Sequence, residues 1–583
     1  MIDYENFESL SPEEQARIFH QTSFKERGEL LLRSHNPMAL TRSLSHEELY
    51  LLVKEMDMEE RSEAIKYASR EQMVFISDME VWKKDQIIPE QFIRWLETLE
   101  RAGYGKLLEW MLEADYETVV TGLQKIIQVQ KPDHEWTTDE VLGDIPYFTL
   151  DFMYYFYVRE ENLETVKHAM EILFENHRGR YTAIVEGIMA ELDNELEDEA
   201  YHRREIRLSE RGFPDPETAH KIYRPISEKE FLEFPKKDNA GVPSSENAEE
   251  PKLSIPNYLV LFQSEPLFMD QVIQVISAHD SKLTASIQEE MVWLSNKVLA
   301  SQGTDISSED KVRAGFLRAK AMVSIGLELL SGGDLAKACK IVEERWLEII
   351  FRRTMTELYE VREKAVDVVR HYWNSDRVKL IQFLCFPYDL ILKGLLQTVP
   401  QFYDASKKVE TDPIRDFRRP DEINRASAAC DQMEAIHRLL KGKTPEIFAL
   451  SELANPEQTW NMFNAITTAF AHFVLDGKIR IKRIGWNDLQ SFMDKGWEGV
   501  SPRRIKANLK KDFFEAFIPS KEKELLGNVL TLAFQELEDE FKDLDIKRIE
   551  PRFISSILVS ASEPKKKIPA RGPESSSPKR KAR

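Results

Sequence analysis

Three cysteines in 583 residues are too few for a disulfide framework. Cys339, Cys385 and Cys430 do not follow zinc-ligand spacing, so each reads as a small buried hydrophobe. No apolar run is long enough to cross a bilayer. The most apolar stretch, 381–396, is broken by Pro387, Asp389 and Lys393 and predicts a buried helix pair. The opening Met1-Ile2-Asp3-Tyr4-Glu5-Asn6 is acidic and lacks an apolar segment, so no signal peptide is expected. GxGxxG, GxSxG and HExxH are all missing. Gly442-Lys443-Thr444 looks like the end of a phosphate loop, but the glycine required at position 437 is His437. Without it the backbone amides cannot wrap a phosphate.

What is present is an acidic chain with enough apolar residues for real cores. Lys and Arg number 80 and Asp and Glu 101, a net charge of −21, while 42% of residues are hydrophobic. That balance excludes a disordered acidic protein. The length suggests several domains or one long array. Together these features predict a cytoplasmic protein with no membrane span.

The first 130 residues repeat one start signal. Ser11–Glu14, Ser45–Glu48, Asp57–Glu60 and Ser69–Gln72 each place a capping side chain three residues before Glu or Gln. This is the capping-box pattern, in which each side chain binds the other residue's backbone amide. The boxes at 45, 57 and 69 lie one short helix and a turn apart. Leu49, Leu52 and Val53 line one helix face, as do Ala64, Ile65 and Ala68, and Met73, Ile76 and Met79. Helices this short are not stable alone in water, so they must stack. The stripes of Phe92, Trp95, Leu96 and Leu99, then Leu107, Leu108, Met111 and Leu112, continue the array.

Beyond it, 131–146 predicts a loop. Tyr147 to Val158 is so aromatic that a strand and a buried helix both fit. Leu163 to Phe174 and Tyr181 to Leu192 predict amphipathic helices, and a long charged helix follows, ending at Gly212. Residues 235–256 have almost no large apolar side chain and predict a flexible linker. The remainder reads as mostly helical, with a stop at Ser331-Gly332-Gly333 and a short strand over 478–484. The tail, 561–583, carries eight basic and two acidic residues and predicts disorder.

Two side-chain patterns could carry chemistry. Glu199 and His202, Glu217 and His220, and Glu434 and His437 are Glu-x-x-His pairs. On a helix such a pair shares one face, and two pairs with further carboxylates make a di-iron site in a bundle. Glu195 could add an oxygen one turn back from Glu199. The competing reading is ordinary exposed helix in an acidic chain, and it is preferred. Arg203, Arg207 and Arg211 sit four apart on one helix face, with Glu199 at its head. They could bind an anion or a partner's acids through guanidinium forks. They could equally be a surface laced by i,i+4 pairs such as Glu199–Arg203, each worth only about 0.3–0.5 kcal/mol. The second reading is preferred here too.

The run Leu44-Ser45-His46-Glu47-Glu48-Leu49-Tyr50, the start Ala68-Ser69-Arg70-Glu71-Gln72, and Asp78-Met79-Glu80-Val81-Trp82 resemble a family of large uncharacterised bacterial proteins. So do Phe148-Thr149-Leu150-Asp151, the helix into Arg211-Gly212-Phe213-Pro214, Gly394-Leu395-Leu396 and Pro400-Gln401-Phe402-Tyr403. The resemblance covers about 26 to 550 and implies no activity, ligand or partner. The first 130 residues also resemble the cytosolic helical domain of one class of magnesium transporter and the middle domain of flagellar motor switch proteins. By analogy that implies a protein-binding superhelix.

The expected architecture is mainly α with minor β elements. It comprises a leader (1–25), a short-helix superhelical domain (26–145), a middle helical domain (146–234), the linker (235–256), a C-terminal helical domain (257–560) and the tail. The expected function is a non-enzymatic protein–protein interaction scaffold without a cofactor, bound to a protein partner. One alternative is a metalloenzyme using Glu199, His202, Glu434 and His437. The other is nucleic-acid association through the tail, which the acidic body disfavours.

Overall fold

The computed structural model describes residues 7, 10–11, 14–15, 18–19, 22, 24–131, 146–190, 193–237, 266–303, 309–373, 383–407, 412–443, 461–499, 502–544 and 553–560. The tail and most of the expected loop and linker lie outside them. The chain is mainly α-helical, with a few short antiparallel strands. It divides into two compact units. The first is Met1–Thr356 with Arg418–Pro420; the second is Glu357–Phe417 with Asp421–Arg583.

From Phe24 on, the first unit runs through α1 (Phe24–Arg33), α2 (Pro37–Ser43), α3 (His46–Glu55), α4 (Met58–Tyr67), α5 (Arg70–Glu80), α6 (Pro89–Ala102), α7 (Tyr104–Glu113) and α8 (Tyr116–Gln124). The capping signals act as their chemistry requires. Ser45 and Glu48 exchange two bonds of 3.2 Å, and Ser69 and Gln72 exchange bonds of 3.2 and 2.9 Å. Asp57 accepts from the amides of Glu59 and Glu60. Each cap stops one helix from running into the next, which gives short helices in close succession. Packing then joins next-but-one neighbours: α1 with α3, α2 with α4, α3 with α5, α4 with α6 and α5 with α7. Trp110 meets Phe92 and Trp95 edge-on, with ring centroids 6.0 and 6.2 Å apart, all three deeply buried.

The array ends earlier than its pattern suggests. Ile127 and Val129 are β-branched and buried on alternate positions, so β3 (Ile127–Gln130) is a strand. Two short strands, β1 (Trp82–Lys83) and β2 (Gln86–Ile87), form a hairpin within the array that the sequence pattern does not show. The aromatic segment resolves into strands β4 (Tyr147–Thr149) and β5 (Tyr155–Val158), in the sheet order β3-β5-β4. Three further helices follow: α9 (Leu163–Asn176), α10 (Arg178–Ala190) and the long charged α11 (Asp193–Glu210). Gly212 closes α11 with φ +83°, and a Cβ there would lie 3.3 Å from Trp293 Cα and Asn296 Cβ. Those two residues belong to α15 (Ser281–Ser301), which packs with α12 (Pro216–His220). The first unit therefore continues on both sides of 235–256. It also holds α13 (Glu228–Glu233), α14 (Phe268–Ser277), α16 (Glu309–Ser331), α17 (Leu335–Glu344) and the start of α18 (Leu347–Trp373). At the stop after α16, Gly332 and Gly333 have φ +65° and +80°.

The second unit is built round α21 (Met462–Asp476), which follows α19 (Tyr388–Leu395) and α20 (Pro420–Lys443). Reciprocal Asn461–Asn464 bonds start α21 and Gly477, at φ +73°, ends it. Helices α22 (Trp486–Gly496), α23 (Ala507–Phe517) and α24 (Lys523–Phe541) pack on it. Phe470 lies edge-on to Phe492, Phe513 and Phe534 at 5.9, 5.3 and 5.0 Å. The expected strand over 478–484 does not form. Ile481 and Ile484 are buried three residues apart rather than alternately, and only Ile484 bridges to Val559.

Gly122 in α8 is pressed against the buried Phe92, and an added Cβ would lie 2.2 Å from the ring. Gly122→Ala should therefore destabilise the protein by about 1–3 kcal/mol, against the usual helix-favouring effect of that exchange, in chemical unfolding.

Candidate functional site

Helix α11 crosses the array, and its arginines meet it one after another. Arg203 pairs with Glu199 on its own helix and with Glu117 of α8, both at 3.0 Å. Arg204 donates to the backbone carbonyl of Asp78 at 2.8 Å and lies over the Trp82 ring. Arg207 makes a two-bond fork with the Asp78 carboxylate, at 2.8 and 2.9 Å, and also pairs with Asp115. Upstream on the helix, Glu197 accepts from Lys125 at 2.5 Å and from the Ile87 amide at 2.7 Å. The expected i,i+4 pair Glu199–Arg203 exists, but it is one of several contacts this helix face makes.

Asp78 is buried, with 3% of its side chain exposed. Burial pushes its carboxyl above the ordinary range, against the pull of Arg207 and Arg204. For Arg207 burial opposes the charge, but the two carboxylates prevail and hold it more firmly protonated. The pairing is charge-assisted and bidentate, the geometry in which arginine has no substitute in lysine.

Arg211 differs from the other three. It donates to His46 Nδ1 at 2.8 Å and lies over Phe75 at 5.8 Å. Among the described residues it has no ion-paired carboxylate, and burial depresses its pKa. Since an arginine can only donate, His46 must present Nδ1 as an acceptor, which fixes its tautomer. Burial, then Arg211, lowers the His46 pKa to about 3. Beside these residues a cleft of about 320 Å³ opens between α5, the α7–α8 turn and the end of α11. Arg70, Glu71, Phe75, Asp115, Glu210 and Arg211 are among the residues that line it.

The Glu-x-x-His residues are placed separately. Glu199 is paired with Arg203, and His202 is exposed on α11. Glu217 and His220 lie on exposed positions of α12. Glu434 pairs with His371 at 2.7 Å, and His437 is buried on α20. The first two pairs belong to the first unit and the third to the second. Among the described residues no three His, Cys, Asp or Glu side chains are grouped to hold a metal ion. Nor is any helix there long and apolar enough to cross a membrane.

Residues 4–560 match a family of unknown function, DUF6178. The chain belongs to that family. No curated protein and no solved structure matches it. A likeness to magnesium transporter or motor switch domains is not shown. In this DUF6178 chain the residues that sequence reasoning missed are Asp78, Asp115 and His46. Arg207 meets the first two across 129 and 92 residues, a separation that leaves no local pattern. The four-residue arginine spacing was the only visible half of the contact.

Two outcomes follow from the pairing. Asp78→Asn leaves Arg207 short of its main counter-charge and should cost about 3 kcal/mol in chemical unfolding, with faster hydrogen exchange along 193–210. His46 is neutral in the folded chain but protonates from 6.5 downwards once unfolded. Its contribution is therefore complete above pH 6.5 and is lost as pH falls towards 3. Between pH 6.5 and 5 the melting temperature of His46→Gln, whose amide oxygen can replace Nδ1, should fall less than that of the wild type.

Proposed function

We propose that the protein is a non-enzymatic scaffold of the cytoplasm, with α1–α8 wound as a superhelical array that binds another protein. The observation that carries this reading is Arg211. It is a guanidinium lining an open cleft, fixed by His46 and Phe75, with Glu71 and Glu210 nearby but no directly ion-paired carboxylate among the described residues. Arg203 and Arg207 are already engaged within the chain, so of the arginine stripe Arg211 is the residue left for a partner. An acidic side chain or a chain-terminal carboxylate would meet it as a fork. Glu71 and Glu210 on the same lining would take a basic neighbour, and Val74, Phe75 and Leu208 would cover an apolar one. A cleft with charges of both signs and an apolar wall suits an extended peptide segment better than a small metabolite.

The test is native mass spectrometry of the tagged protein purified from its own host. The wild type should carry a stoichiometric protein partner. Arg211→Gln, which can still donate to His46, should lose that partner at an unchanged melting temperature. Full retention of the partner by this variant would remove the cleft from the reading. Arg207→Glu is unsuitable, because it disrupts the fold itself.

A further inference from the structure

Phe152 stands at the tip of the β4–β5 hairpin with 82% of its surface exposed, the most exposed large hydrophobic residue of the described chain. Its backbone has φ +58°, a left-handed conformation that a bulky side chain rarely adopts. The turn is held there deliberately. Thr149 Oγ1 accepts from the Phe152 amide at 3.0 Å, and Asp151 Oδ1 accepts from the amides of Met153 and Tyr154 at 2.9 and 3.1 Å. The base is anchored by Tyr154, which is buried, with its hydroxyl on Glu186. Met153 and Tyr147 add apolar surface beside it, each about half exposed. A strained backbone that exposes an aromatic ring gains nothing within the folded chain itself. Such strain persists where the surroundings over-determine it, and it concentrates at functional sites.

We propose that this hairpin tip is a docking finger, with Phe152 as its anchor, for a folded protein that offers an apolar pocket rimmed by Lys or Arg. An aromatic projecting from an ordered turn is the kind of side chain that dominates interface energies, because little backbone freedom remains to be lost on binding. Charge decides the class of partner. The chain carries −21, and among the described residues the hairpin has the carboxylate of Asp151 at its tip and that of Glu186 at its base, with the Lys131 ammonium over the Tyr154 ring. Nucleic acid and anionic lipid are therefore repelled, and a basic rim is favoured. This surface is separate from the Arg211 cleft, so either can fail without the other.

The experiment places the photo-cross-linker benzoylphenylalanine at position 152 of the full chain in its own host, with Glu161, also exposed, as the control position. One protein adduct, specific to position 152, is expected. The captured protein is then purified and its affinity measured directly. Phe152→Asn should weaken it about 30-fold and Phe152→Trp by less than about threefold. Asparagine tolerates a positive φ, so Phe152→Asn should melt at or above the wild-type temperature, which a purely structural Phe152 would not allow. The proposal is overturned by no specific adduct, by a cross-link within the chain, or by a captured protein that binds Phe152→Asn as tightly as the wild type. It is equally overturned if neutral phosphatidylcholine vesicles bind the chain and lose it on Phe152→Asn, which would make the tip a membrane finger.

Discussion

A carboxylate removed from water must find a cation, and in this protein the one that Asp78 finds is Arg207. The helix carrying Asp78 is three turns long and the helix carrying Arg207 is separated from it by more than a hundred residues. Once the fork closes, α11 cannot slide along or rotate against α5. The other contacts on the same helix then fall into place: Arg203 on Glu117, Arg204 on the Asp78 carbonyl, Glu197 on Lys125 and the Ile87 amide. A buried pair of this kind adds little net stability compared with apolar packing. Here it sets which arginine meets which acid: Arg207 meets Asp78 while Arg203 meets Glu117.

That brace answers a weakness in the array. Capped helices of about ten residues are individually unstable and depend on their neighbours for burial. Helix α11 adds such a neighbour through charge, and Gly212 at its end, lacking a side chain, lets the chain approach α15. The cleft beside Arg211 lies where α11 ends against α5.

The cleft and the hairpin tip display the same economy from opposite directions. At Arg211 a charged group is half-buried with carboxylates nearby but, among the described residues, none in a direct ion pair. At Phe152 an apolar ring is exposed on a backbone that would prefer another residue. Both are local conflicts with the rules that hold elsewhere in the chain, and natural sequences tolerate such conflicts chiefly where function requires them.

The sequence by itself determined whatever depends on near neighbours. The capping boxes at Ser45 and Ser69, the stops at Gly212 and Gly332, and the stripes from Leu49 to Met111 are local chemistry, so they could be read directly. The mainly α-helical class followed from them. Where a local pattern fitted two structures, as in Tyr147–Val158, only pairing with β3 decided for a strand. Over 478–484 alternation suggested a strand, yet a single bridge was all the tertiary structure offered it. The arginine stripe was legible as a pattern but not as a contact. Its partners lie far away along the chain, and a salt bridge carries no sequence period. Which arginine is spent on the fold and which is left facing a cleft is a property of three-dimensional proximity, and only the tertiary structure assigned Arg207 to the first task and Arg211 to the second.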